Sequence, residues 1–280
     1  MAVLLALGCA VVYGASDFLG GLASRRTSVF GVVAFSQRAG LVALVALLPW
    51  LGGRVGPADL GWGAAAGVAG AAGLVVFFRT LAGGVMSVVA PVTAVTAAAV
   101  PVLVGLAGGD RIDLWAALGI LLALAAVVLV SAEGGLSALR TARPAGVPPA
   151  LLAGSMFGLF FVLLDRTSDD TGLTPLVTAR LASVALAVGI ALVGRKPMRA
   201  SRPALPLVVA SGIGDMSANA LFLLATQQPG QLAITGVLAS LYPVSTVVLA
   251  QVVLRERLAA AQMAGLGTAV AAVVLITLPA

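Results

Sequence analysis

Long apolar runs separated by short polar gaps set the pattern of this chain. About 20 apolar residues are needed to cross the hydrocarbon core of a bilayer. Ten segments meet that requirement: 2–22, 29–49, 58–78, 84–107, 112–132, 148–166, 173–194, 204–225, 231–254 and 258–279. The gaps hold the breakers and charges, as in "ASRRTS", "GGRVGPAD", "DRTSDDTG" and "GRKPMRASRP". Pro91, Pro101 and Pro243 fall inside two of the runs. In a membrane bundle, neighbouring helices can satisfy the carbonyls a proline frees, so kinked spans are expected there. Trp50, Trp62 and Trp115 stand at span ends, where an interfacial aromatic belt would place them. The first run lacks the positive region of a signal peptide and reads as a retained span.

The longest polar stretch, "EGGLSALRTARPAGV" at 133–147, reads as a linker between two halves. A shift of 146 residues lays "AVVLVS" (126–131) on "AVVLIT" (272–277), Gly119 on Gly265, Thr80 on Thr226 and Gly8 on Gly154. It also lays Asp110-Arg111 on Glu256-Arg257, while Arg38 meets Arg180 across a four-residue gap. The common offset predicts a first repeat over 1–134, a linker at 135–147 and a second repeat over 148–280. Five spans per repeat is an odd number, so the second repeat starts from the opposite membrane face. The expected fold is an all-α integral membrane protein with two inverted five-helix repeats around a central cavity. Many secondary transporters are built this way, with the solute site near the midplane.

Composition agrees with the pattern. Of 280 residues, 61% are hydrophobic and 9% charged, and the mean hydropathy is +1.14. Soluble domains carry roughly 25% charged residues, so this chain meets mostly lipid. The net charge of +6 is scattered one to four residues at a time, unlike the gathered basic face of a nucleic-acid binder. With no histidine and one cysteine, Cys9, no metal site, disulfide or cofactor site is expected. Hydrolytic or metal chemistry lacks its residues, which argues against an enzyme. No P-loop is present, so ATP coupling within the chain is excluded.

Three stretches carry a family resemblance. "FFRTLAGGVMSVVAPVTAV" (77–95) resembles the third-to-fourth-helix passage of EamA-type proteins of the drug/metabolite transporter superfamily. "YPVSTVVLAQVVLRERL" (242–258) is similar to their pattern of a proline in the penultimate helix and a glutamate thirteen residues on. "YGASDF" resembles their first-helix opening, with Tyr13 in place of tryptophan. The resemblance implies a ten-helix exporter of small metabolites such as amino acids in a bacterial-type inner membrane. It also implies a cavity lined by helices 1–4 and 6–9, with helices 5 and 10 peripheral and available for a homodimer. A multidrug or other small-solute transporter of the same fold is the alternative; a membrane enzyme or scaffold is the rival from another class.

Polar residues within the spans are the candidate site. Ser211, Asp215 and Asn219 recur every four residues and share one helical face. Asp215 lies roughly 16 Å along its helix, near the midplane, with no cation within two turns on that helix. It is the expected carboxylate for proton exchange or for a solute's ammonium group. An unpaired Asp17 would cost roughly 2.5–3.5 kcal/mol at a helix centre. Arg38, about 6 Å different in depth, is its expected partner, in a pair that holds helices 1 and 2 together. Tyr13, Asp17, Ser87, Thr93, Thr96, Gln231, Thr235, Tyr242 and Ser245 complete the candidate lining.

Charge also bears on orientation. Arg54, Arg111 and Arg166 lie in gaps on the side of the termini, against eleven Arg and Lys residues in the opposite gaps. The positive-inside rule then puts the termini outside, whereas the family resemblance implies cytoplasmic termini.

Overall fold

Every predicted run becomes helix in the computed structural model, which describes residues 1–83, 86–131, 147–195, 199–228, 232–255 and 257–278. The helices are α1 Ala2–Ser24, α2 Val29–Leu51, α3 Pro57–Gly83, α4 Met86–Gly108 and α5 Leu114–Ser131. The second half contains α6 Val147–Asp165, α7 Pro175–Val193, α8 Leu205–Thr226, α9 Leu232–Ala239, α10 Tyr242–Leu254 and α11 Ala260–Thr277. Among the described residues, ten spans are long and apolar enough to cross a membrane, α9 and α10 together forming one of them. Residues 132–146, which hold all but the end of the expected linker, lie outside the described residues.

Polar groups mark the helix ends. Gly31 N donates to Ser28 Oγ at 3.0 Å at the start of α2, and Ala116 N donates to Asp113 Oδ1 at 2.8 Å at the start of α5. These caps satisfy amide donors that have no partner within the helix. Pro91 and Pro101 stay inside a continuous α4. Pro243 does more than kink its span. Its nitrogen has no proton for Ala239 O, so Leu241 N turns to Leu238 O at 3.2 Å and the next helix starts at Tyr242. The run expected as one span at 231–254 is therefore two helices.

The outside of the bundle is apolar: Val42 and Val252 are each 70% exposed and Leu121 64%. Those residues face lipid. Trp50, Trp62 and Trp115 are all exposed at helix ends on the side of the termini. Inside, small residues bring backbones together. A Cβ on Gly67 would stand 2.0 Å from Ala179 O, and one on Gly212 would stand 2.0 Å from Ser36 O. The α3–α7 and α2–α8 crossings are thus backbone against backbone. Helix α5 pairs with α11, where Gly119 receives Ile276 and Gly265 receives Val130.

Both ends of the bundle are tied by loops from opposite halves. On the side of the termini, Arg54 N donates to Asp170 O at 3.0 Å and Leu173 N to Leu51 O at 2.8 Å. Asp59 accepts from Gly56 N, Ser168 N and Ser168 Oγ at the same place. On the opposite side, Thr27 and Ser28 hydroxyls donate to Arg199 O, and Ser201 N donates to Thr27 Oγ.

Candidate functional site

A central cavity of about 690 Å³ lies among the helices. Its lining extends to Ser131, the last residue of α5, on the face opposite the termini. No residue of the terminal-side clasp contributes to it among the described residues. Much of the wall is apolar, with Phe157, Phe160 and Phe161 from α6 and a run of Gly and Ala from α3 and α4. Helix α5 was expected to be peripheral, yet Val130 and Ser131 reach the cavity at its end; α11 contributes nothing described.

The polar part of the wall starts from the stripe on α8. Asp215 accepts from Arg180 Nη2 at 2.5 Å, and Arg180 Nη1 donates to Gln37 Oε1 on α2. Arg180 is buried, while Asp215 keeps 38% of its side-chain surface open. One turn along, Asn219 Nδ2 donates to Asp215 O at 2.7 Å and Asn219 Oδ1 accepts from Tyr13 Oη at 2.7 Å. The Tyr13 ring stands 6.1 Å from Tyr242 and 6.5 Å, edge-on, from Phe161. Four elements, α1, α2, α7 and α8, therefore meet in one hydrogen-bonded chain at the cavity. A ligand touching it would touch both halves of the protein.

The charge pairing differs from expectation. Asp17 and Arg38 form no ion pair; Arg38 is exposed, and its guanidinium lies 5.6 Å over the Phe35 ring. The repeat-related Arg180 points into the bundle instead and takes Asp215, which was expected to be free of any cation. Helix rotation is the reason: Arg38 follows Gln37 by one residue, about 100° around the helix, and it is Gln37 that lines the cavity. Asp17 is open to the cavity and has no hydrogen bond or ion pair among the described residues.

The remaining candidates divide. Tyr13, Asp17, Thr93, Asp215, Asn219 and Tyr242 line the cavity. Thr93 Oγ also donates to Ala150 O at 3.2 Å, tying α4 to α6. Thr96 Oγ bonds Val92 O on its own helix. Ser211 faces α1 instead, where Ser16 Oγ donates to Ser211 O at 2.6 Å and Ser211 Oγ returns a bond to Ser16 O at 2.9 Å. Ser245 sits at the α1–α10 crossing, its Cβ 2.5 Å from where a Cβ on Gly14 would stand. Thr235 is fully buried away from the cavity, and its Oγ has no hydrogen-bond partner among the described residues. The Ser87 side chain and Gln231 lie outside the described residues. Gln37, Arg180 and Phe161 are cavity residues that sequence reasoning missed. For Arg180 the signal was present, an arginine six residues into an apolar helix.

Among the described residues, ten spans long and apolar enough to cross a membrane surround a cavity lined in part by charged side chains. Residues 145–278, just under half of the chain, match the model of the EamA-like transporter family. A solved structure described only as "Crystal structure of protein" superposes with a TM-score of 0.78. It covers 99% of this chain and 96% of its own at 19% identity, so it shows the shared fold. No curated protein matches the chain.

Proposed function

We propose that the protein is a secondary transporter that moves a small organic metabolite through the central cavity by alternating access. The family supplies the coarse reading, a small-solute transporter in a membrane. The observation that carries the finer one is the asymmetry of the cavity: its lining reaches Ser131 at one face, while the other face is tied shut by the Leu51–Leu173 and Arg54–Asp170 contacts. In alternating access this clasp opens as the cavity closes at the face of Ser131, where the Thr27–Arg199–Ser201 contacts are already made. A solute drives that exchange only through different affinities for the two states.

The reading rests further on two halves of like construction, 1–134 and 148–280. Helix pairings recur when the halves are exchanged: α1 on α8 with α6 on α3, and α2 on α8 with α7 on α3. Gly119 against Ile276 and Gly265 against Val130 exchange under the same 146-residue shift. Amines and amino acids fit as solutes, because an ammonium group complements the acidic wall, and no reaction is part of the cycle. The test is flux of radiolabelled candidate solutes into proteoliposomes with analysis of the recovered compound. Saturable flux of an unchanged solute supports transport. Chemical conversion of the compound, or its retention without passage, sinks it.

A further inference from the structure

Among the described residues, three charged side chains line the cavity: Asp17, Arg180 and Asp215. Arg180 and Asp215 cancel each other through their direct contact. The guanidinium is also held by Gln37 and is buried, so it presents little surface to a solute. Asp17 alone is open to the cavity with no partner among the described residues. Among the described residues the wall thus offers one carboxylate with no cation beside it in a low-dielectric setting, where its ionised form is costly until something positive meets it. Aromatic rings add attraction of the same sign. The Tyr13 ring stands 6.1 Å from Tyr242 and 6.5 Å from Phe161, and aromatic faces attract cations.

From this arrangement we infer that the site reads the net charge of its solute, with Asp17 as the reading residue. It takes organic monocations, amines or quaternary ammonium compounds with an apolar or aromatic body, ahead of zwitterions and anions. A zwitterionic amino acid satisfies Asp17 with its ammonium group but brings a carboxylate whose natural partner, Arg180, is already held by Asp215. Admitting it requires breaking that pair; admitting a monocation does not. The cavity volume of about 690 Å³ lies inside the roughly 300–1,000 Å³ usual for sites that enclose drug-sized ligands. The inference deepens the transporter reading and rests on it for the movement of the solute, while the binding preference stands on the wall alone.

The test uses four probes with one ring and different charge: phenethylamine, phenylalanine, 3-phenylpropionate and 2-phenylethanol. Their affinities are measured by calorimetry on the purified full-length protein, wild type and Asp17→Asn, with Asp17→Glu as the charge-retaining control and melting temperature as the check on folding. Phenethylamine is expected to bind tightest, and Asp17→Asn to weaken it by roughly thirtyfold or more while Asp17→Glu keeps most of the affinity. Absence of saturable phenethylamine binding overturns the inference, as does tighter binding of phenylalanine. So does an unchanged phenethylamine affinity in a folded Asp17→Asn protein. The transport reading fails separately: phenethylamine that binds through Asp17 but never crosses a proteoliposome removes transport and leaves the charge reading standing. Flux of another solute, indifferent to Asp17, does the reverse.

Discussion

Arg180 on α7 donates to Asp215 on α8 at 2.5 Å, joining two helices of the second half beside the cavity. Gln37 of the first half takes the other arm of the guanidinium. Removing the acid leaves a buried cation with a neutral acceptor only. Asp215→Asn is therefore expected to destabilise the protein by roughly 2–3 kcal/mol, somewhat less than for a fully buried pair because Asp215 is part-open to the cavity. Arg180→Gln in the Asp215→Asn background is expected to recover part of the loss. Melting temperatures of both single mutants and the double mutant in detergent form the cycle, and strictly additive losses would mean that the two side chains do not interact.

Tyr13 and Tyr242 share the cavity wall but not the same bonds. Tyr13 Oη donates to Asn219, so Tyr13→Phe is expected to cost about 1 kcal/mol of stability with little change in phenethylamine affinity. Tyr242→Ala is expected to keep the fold and lower that affinity about tenfold by removing a ring from the cation's surroundings. Calorimetric titration separates the two. Equal affinities for wild type and Tyr242→Ala would return Tyr242 to packing alone.

The glycines at the helix crossings make a contrast that needs no ligand. A methyl group on Gly67 or Gly212 would meet a backbone carbonyl 2.0 Å away, whereas one on Gly189 meets nothing within 4 Å. Gly67→Ala and Gly212→Ala are each expected to lose roughly 1–3 kcal/mol through forced separation of backbones, and Gly189→Ala to be neutral. Melting temperatures of the three variants decide it; equal values would mean that the crossings are looser than the 2.0 Å approaches require.

Orientation follows from the loops. The side opposite the termini carries eleven of the Arg and Lys residues in the gaps, and the side of the termini three. On the positive-inside rule, a reporter fused after Ala280 is expected to read out as extracytoplasmic. A robust cytoplasmic signal would show that the orientation implied by the family resemblance prevails over loop charge.

The ten spans were legible in the sequence because lipid imposes a local condition. Every residue of a crossing segment must be apolar or internally bonded, and that shows as a run of about 20. The bounds of α2, α6 and α8 follow from the runs alone to within two residues. Six members of the cavity wall, Tyr13, Asp17, Thr93, Asp215, Asn219 and Tyr242, were legible too, because polar groups inside apolar helices have nowhere else to go. Pairing was not. Arg38 and Arg180 are the same residue at related positions, yet one lies over Phe35 at the surface and the other holds Asp215 in the interior. Which of two arginines turns inward depends on each helix's rotation, and a single residue step changes that by about 100°. Between helices in lipid there is little hydrophobic bias to mark the inner face, since both faces are apolar. Close contacts such as Gly67 on Ala179 and Gly212 on Ser36 choose the rotation instead, and those contacts exist only once the bundle is assembled.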